Sequence, residues 1–282
     1  MAKKFEELQL KDNFMFCAVM MDPANCKELL ETILEMPIDR VTVEKEKTIV
    51  YNPEYKGVRL DVYAKDENNT HYNVEMQVEY TPVEKRSRYY HSMIDSDLLL
   101  TGAGHEKLPD SYIIFICDYK LFRDNPFGNK YRYTLQYSCR EYPEMPYDDG
   151  NYTILLSTSG DNPADISPKL QEFLNYVKDH RTAEGGKTGY AVRLDESIRR
   201  IKQDREVRSR YMLYEEMMKK EHDAGYAEGH EDGLAEGFDK GRREEKANTE
   251  RERKRAEEAE AKAKAAESEI ARLKTLLSKY QE

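Results

Sequence analysis

The sequence predicts an α/β protein: a mixed sheet flanked by helices, followed by a long helical tail. Three features carry this: two alternating runs joined by a turn cluster, one continuous apolar run, and a C-terminal stretch dominated by Ala, Glu, Lys and Arg. In the run Val58 to Ala64, Val58, Leu60, Val62 and Ala64 share one face while Asp61 takes the other. In the run Tyr72 to Val78, Val74, Met76 and Val78 oppose Glu75 and Gln77. Between them lies Asp66-Glu67-Asn68-Asn69, a turn cluster. A loop made of Glu67-Asn68-Asn69 puts its last residue in the left-handed conformation, which Asn tolerates. That register pairs Asp66 with Thr70, and therefore Asp61 directly with Glu75. A two-residue loop would pair Asp61 with Met76 and turn Glu75 to the wrong face. Directly opposed side chains sit roughly 5 Å apart at Cβ, where like charges are destabilising. Such a carboxylate pair needs a cation, so the hairpin reads as a divalent metal site. The plainer alternative is a solvent-exposed strand face that carries acids.

The remaining elements follow in order. Residues 8–36 read as a helical layer: Phe14, Phe16, Val19 and Met20 cluster before Asp22-Pro23, and Ala24 to Glu35 forms a helix that Pro37 stops. Arg40 to Ile49 reads as a first strand, before the hairpin. Arg86 to Leu100 is helical, with Tyr90, Met93, Ile94 and Leu98 at three- and four-residue spacing, and Gly102 and Gly104 end it. Ser111 to Cys117 is the continuous apolar run, as expected of a central strand buried on both faces. Tyr131, Tyr133, Leu135 and Tyr137 alternate on a further strand, and Tyr152 to Leu156 forms another. These tyrosines read as half-buried sheet residues, with base stacking as the alternative. Leu170, Phe173, Leu174 and Val177 lie at helical spacing and close the domain. Gly185-Gly186 is a loop, and a helix from about Asp195 to Glu221 leads outward. The expected organisation is a domain over 1–195, a connecting helix over 196–221, a glycine-repeat segment over 222–245 and a charged coiled-coil helix over 246–282.

In the tail, Gly225, Gly229, Gly233, Gly237 and Gly241 recur every fourth residue. Each helical Gly costs about 1 kcal/mol relative to Ala, so the stripe needs a reason. One reading is close approach of another helix, as in small-xxx-small packing; the other is a partly helical linker. Ala256, Ala259, Ala263, Ala266, Ile270, Leu273, Leu277 and Tyr280 then follow a heptad seam, weak in its alanine half.

Composition narrows the classes. Residues 1–205 carry 28 Lys and Arg against 35 Asp and Glu, and residues 206–282 carry 17 against 20. Both parts are acidic, so bulk charge does not advertise nucleic-acid binding, and any phosphate contact must rely on a local basic patch. Cys17, Cys26, Cys117 and Cys139 have no CxxC spacing, which argues against a zinc ribbon. The N-terminus lacks an apolar signal region and no run approaches the ~20 apolar residues of a membrane span, so a cytoplasmic chain is expected.

Asp61 followed at this distance by Glu75-x-Gln77 resembles the PD-(D/E)XK nuclease motif, with Gln77 where Lys is commoner. With its flanks, Leu10-Lys11-Asp12-Asn13-Phe14-Met15-Phe16, Arg59-Leu60-Asp61-Val62, Tyr72 to Gln77 and Arg86-Ser87-Arg88-Tyr89-Tyr90, the chain resembles the Rpn-type recombination-promoting nucleases and transposases over most of residues 8–220. The helix, three strands, helix, strand order is that of a restriction-endonuclease-like core. The resemblance implies a Mg²⁺-dependent DNA endonuclease linked to recombination or mobile elements. Asp61, Glu75 and Gln77 would be catalytic, and Asp61, Glu75 and the carbonyl of Met76 would ligate the metal. Glu28, Glu31, Arg88 and Tyr90 are accessory candidates. An amide at Gln77 can orient water but is no base, which leaves activation to the metal. A nuclease-derived binding module without cleavage, and an assembly protein acting through its tail, are the alternatives. Homo-oligomerisation through the tail is the expected assembly.

Overall fold

The computed structural model describes residues 3–44, 47–49, 58–99, 103–122, 129–180 and 189–279. The N-terminal helical layer is α1 (Asn13–Met20) and α2 (Pro23–Leu34). Asp22 caps α2 by accepting from Ala24 N–H at 2.9 Å, with Pro23 pre-set for the first helical position. The chain continues through β1 (Val41–Glu44), β2 (Thr48–Ile49), β3 (Val58–Arg59), β4 (Val62–Asp66), β5 (His71–Gln77) and α3 (Glu84–Leu98). It closes with β6 (Ser111–Cys117), β7 (Arg132–Leu135), β8 (Asn151–Ser157), α4 (Pro168–Asp179), α5 (Tyr190–Gln203) and α6 (Arg205–Lys279).

Six strands form one mixed sheet in the order β1-β4-β5-β6-β8-β7, while β2 and β3 pair separately. The middle strands β5, β6 and β8 are parallel; β4 and β1 on one side and β7 on the other run antiparallel to their neighbours. On one face, Tyr90, Met93 and Ile94 of α3 pack with Tyr63, Ile113, Phe115 and Leu155. Alternation turns Val62, Val74, Ile114, Ile116 and Leu156 to the other face, where α1, α2, α4 and α5 pack among themselves and on the sheet. This is the restriction-endonuclease-like α/β arrangement expected from the order of elements. The apolar run Ser111–Cys117 is indeed an inner strand, with Ile113 through Cys117 fully buried.

The hairpin register is the one the turn residues require. Val62 pairs with Val74 and Lys65 with His71, so Asp61 faces Glu75 one position further on. Asn69 takes the left-handed conformation at φ 65°. Asp66 organises the turn: its Oδ1 accepts from Asn68 N–H at 2.9 Å and Thr70 N–H at 2.8 Å, and its Oδ2 from the Tyr72 hydroxyl at 2.7 Å.

Several expectations need correction. The strand expected over Val58 to Ala64 is broken at Leu60-Asp61, because β3 pairs with β2 while the Asp61 amide turns to a side chain. The strand expected over Arg40 to Ile49 divides between the two sheets, with residues 45 and 46 outside the described segments. Neither β4 nor β5 has the polar, solvated face that alternation suggests: Tyr63, Asn73 and Glu75 are as buried as their apolar neighbours. Helices on both sides of the sheet remove that face from water. The helix α3 ends at Leu98, and Gly104 instead opens a short 3-10 turn, His105–Lys107; Gly102 and Gly185-Gly186 lie outside the described residues. Tyr137 lies beyond β7 and is exposed.

The helix expected from Asp195 to Glu221 is two helices. Asp204 leaves the helical region and its carboxylate caps α6, accepting from Glu206 N–H at 2.8 Å and Val207 N–H at 3.2 Å. Compact packing divides the chain at Met212/Leu213, and α5 runs across residue 195 with Leu194, Ser197 and Ile198 buried. Tyr211 donates to the Lys3 carbonyl at 2.7 Å and stacks edge-on against Phe14, which ties the start of α6 to the N-terminal segment. Beyond, α6 stays helical through the glycine stripe, and nothing lies within 4 Å of where a side chain would begin at Gly225, Gly229, Gly233, Gly237 or Gly241. Ile270 and Leu273 are exposed; Tyr280 and the side chain of Leu277 fall outside the described part. No described helix is long and apolar enough to cross a membrane.

A chain ended after Met212 should keep the full-length melting temperature of the folded body to within a few degrees. Ending it after Asp195 removes the buried Ser197, Ile198, Val207 and Tyr211 and is expected to abolish cooperative unfolding. Circular-dichroism melts of the two truncations distinguish these outcomes.

Candidate active site

The site lies where β4 begins and β5 ends, toward the carboxyl ends of the parallel strands, the usual place for function in an open α/β sheet. Asp61 and Glu75 are locked into each other's strand by reciprocal backbone contacts. The amide of Asp61 donates to Glu75 Oε1 at 3.3 Å, and the amide of Met76 donates to Asp61 Oδ2 at 3.4 Å. From the helical layer, the Cys17 thiol meets the Asp61 carbonyl at 3.3 Å, and the side chain of Asn13 hydrogen-bonds the Asp61 carboxylate.

Glu75 is fully buried, and both of its oxygens are engaged. Asn73 Nδ2, two residues away and on the same face, donates to Oε1 at 3.1 Å. Arg86 Nη2 donates to Oε2 at 2.8 Å. The same guanidinium donates through Nη1 to Gln77 Oε1 at 2.9 Å and through Nε to the Tyr90 hydroxyl at 2.8 Å. Its plane lies over the rings of Tyr90 and Phe115, at 5.2 and 5.5 Å from their centroids. Close by, Lys11 Nζ pairs with Asp118 Oδ2 at 2.8 Å, just past the end of β6, and the amide of Asp118 donates to the Gln77 carbonyl at 2.8 Å.

Burial raises the pKa of both carboxyls. For Glu75 the neighbouring Asp61 charge adds to desolvation, while Arg86, Asn73 and the Asp61 amide pull the other way. For Asp61, desolvation outweighs Asn13, the Met76 amide, Arg86 and Arg59. When both are ionised, the buried Glu75 and the part-buried Asp61 share the partly exposed guanidinium of Arg86, and one negative charge remains for a further cation. The donor set is hard oxygen, which suits a divalent ion such as Mg²⁺ or Mn²⁺. Among the described residues, no three His, Cys, Asp or Glu side chains converge. An ion here would therefore draw on the two carboxylates, backbone or amide oxygen, and water. The residues fit such an ion.

The structure brings together only part of the expected set. Asp61, Glu75, Gln77 and Tyr90 join one network, with Met76 contributing backbone. Glu28 is engaged elsewhere, with Lys169 of α4 at 3.2 Å and with Arg193 of α5. Glu31 accepts from the Ile38 amide at 3.0 Å and closes the turn after α2. Arg88 is exposed, because two residues along a helix place it nearly opposite Arg86. The guanidinium at the site is that of Arg86, whose i,i+4 relation to Tyr90 was the available signal. Asn73 was also legible, since period two puts it on the face of Glu75. Asn13 was not, because only tertiary packing brings α1 to Asp61.

Residues 26–228 match the family model described as PD-(D/E)XK nuclease family transposase. No curated protein and no solved structure matches the chain.

Mutual repulsion alone would make loss of either carboxylate stabilising, but the hydrogen bonds to Glu75 change that expectation. Glu75→Ala strands Arg86 and Asn73 and should cost about 2–3 kcal/mol, whereas Glu75→Gln keeps an acceptor. A raised folded pKa means that the native state holds its proton more tightly than the unfolded chain. The wild type therefore loses stability as pH rises from the ordinary carboxylate range through the raised value. Without metal, the stability of Glu75→Gln relative to wild type should rise between about pH 5 and pH 8 by on the order of 1 kcal/mol or more. Urea titrations across that range test this; a constant difference would show that Glu75 titrates normally.

Proposed function

We propose that this chain, which belongs to the PD-(D/E)XK nuclease family transposases, is a Mg²⁺-dependent DNA endonuclease that hydrolyses phosphodiester bonds. The observation that carries this reading is the direct opposition of the part-buried Asp61 and the buried Glu75, held by the backbone amides of Met76 and Asp61 at the carboxyl end of the sheet. The metal would be held by Asp61, Glu75 and the carbonyl of Met76. When bound, it would polarise the scissile phosphate, lower the pKa of a bound water and stabilise the leaving oxygen.

The protein's own groups do the rest. The backbone amides of Asp61 and Met76 hold the two carboxylates in place against each other. Gln77 has its Oε1 oriented by Arg86, which leaves its amide hydrogens to position a water without acting as a base. Arg59 and Arg86 place positive charge beside Asp61, within an overall acidic chain. Such local charge is what an acidic chain needs to approach a phosphate backbone. The recombination or mobile-element context follows from the family. A cleavage-deficient DNA-binding module is the second reading, favoured by one observation: the position where Lys is commoner holds Gln77.

We also propose that residues 222–282 self-associate. Five unpacked glycines and the exposed Ile270 and Leu273 on one continuous helix fit a helix partner. Two copies would present two sites to a duplex, whereas a single Asp61–Glu75 pair attacks one strand at a time.

Purified protein should nick supercoiled DNA with Mg²⁺ and stop on addition of a chelator. Asp61→Asn and Glu75→Gln should abolish nicking while retaining a cooperative melt. Wild-type rates in either folded variant would remove the site assignment, and no nicking by wild type would favour the binding-module reading.

Deleting residues 222–282 should leave a monomer that nicks supercoiled DNA but linearises it poorly. Sedimentation of the full-length chain at roughly tens of micromolar tests the assembly; a monomer there would make the tail a linker or a partner-binding arm.

A further inference from the structure

The fully buried Glu75 offers no free oxygen. Its Oε1 already accepts from the Asp61 amide and from Asn73 Nδ2, both fixed parts of the sheet. Its Oε2 is taken by Arg86, which belongs to a helix and whose side chain is 30% exposed. Any cation that reaches Glu75 must therefore approach through Oε2, where a cation already sits. Arg86 is held there by more than the ion pair: Gln77 Oε1 and the Tyr90 hydroxyl receive two of its other N–H groups, and two aromatic rings lie under its plane. Those contacts do not depend on Glu75, so the guanidinium has a place to remain when Oε2 is withdrawn.

We propose that Arg86 is a resident counter-cation that competes with the divalent metal for Glu75 Oε2, so that the metal-free site is held closed by an ion pair that loading must open. This rests on the metal-site reading above and adds to it a residue that sets metal affinity rather than helping to bind the ion. Two physical consequences follow. In the metal-free protein Arg86 neutralises a buried carboxylate, so its removal leaves an uncompensated charge and destabilises the fold. Toward the metal, Arg86 is a like charge and a competitor, so the same removal strengthens binding. A residue that merely propped Glu75 in place would weaken metal binding when removed. The two roles therefore have opposite signs.

The test is calorimetric titration of full-length wild type, Arg86→Gln and Arg86→Lys with Mg²⁺ and with Mn²⁺ in the absence of DNA, paired with melts with and without metal. Arg86→Gln should bind metal about tenfold more tightly than wild type, melt lower without metal and gain more from metal addition. Arg86→Lys keeps the charge but loses the planar fork that engages three partners at once. It should fall between the two, and it serves as the readable variant should Arg86→Gln fail to fold. Equal or weaker metal binding in both folded variants would overturn the proposal. The combined Asp61→Asn, Glu75→Gln variant separates this from failure of the site itself. If that variant still binds metal like wild type, the ion sits elsewhere and the underlying reading fails. If it does not bind, while the Arg86 variants show no gain, the site stands and the competition does not.

Discussion

The rest of the structure depends on one constraint: two carboxylates, Asp61 and Glu75, must coexist face to face inside a sheet that is covered on both sides. Opposed acids at such a spacing repel, and burial raises the cost of ionising either one. The fold offsets this locally. Each carboxylate accepts a backbone amide from the other's strand, Asn13 and Asn73 add side-chain donors, and Arg86 supplies a partly exposed guanidinium. The arrangement costs regularity. Because the Asp61 amide serves a side chain rather than the ladder, the chain bends there, and the residues before it pair with β2 instead of extending β4.

The same constraint explains why distant elements are needed. The helix α1 brings Asn13 and Cys17 to Asp61, and α3 brings Arg86 and Tyr90 to Glu75. The sheet alone would leave the pair half satisfied, and partly satisfied buried polar groups are destabilising. The chain is acidic overall, so any attraction for phosphate would have to be local rather than spread over a broad basic face. The tail follows a different logic. Nothing in the described chain lies within 4 Å of where a side chain would begin at its glycines, and Ile270 and Leu273 are exposed, so the helix carries the glycine cost without packing against the rest of the described chain there.

The legible parts of the fold were those set by local rules. Asn69 tolerates a left-handed turn, the turn sets the register, and the register puts Asp61 opposite Glu75. The inner strand Ser111–Cys117 was legible because burial on both faces leaves a continuous apolar run. What alternation could not reveal was that Glu75 is buried too, since a polar residue at period two looks the same on a solvated face and on a face closed by α3. The break at Asp61 and the helix junction at Asp204 were missed for a related reason: each rests on a backbone–side-chain hydrogen bond, the Asp61 amide to the Glu75 carboxylate and backbone amides to the Asp204 carboxylate, which leaves hydrophobic periodicity intact. In the site, Arg86 was obscured by the neighbouring Arg88, and only helix phase relative to Tyr90 separates them. Glu28 and Glu31 looked alike as helical acids, and their ion-pair and capping partners come from other segments of the chain.

The most direct measurement is a crystal structure of the full-length chain grown with saturating Mn²⁺, with the ion located by its anomalous signal. The expected result is density within about 2.5 Å of oxygen atoms from both Asp61 and Glu75, with Arg86 displaced from Glu75 Oε2. Anomalous density confined to other positions, with Arg86 hydrogen-bonded to Glu75 Oε2, would contradict the assignment of this carboxylate pair as the metal centre.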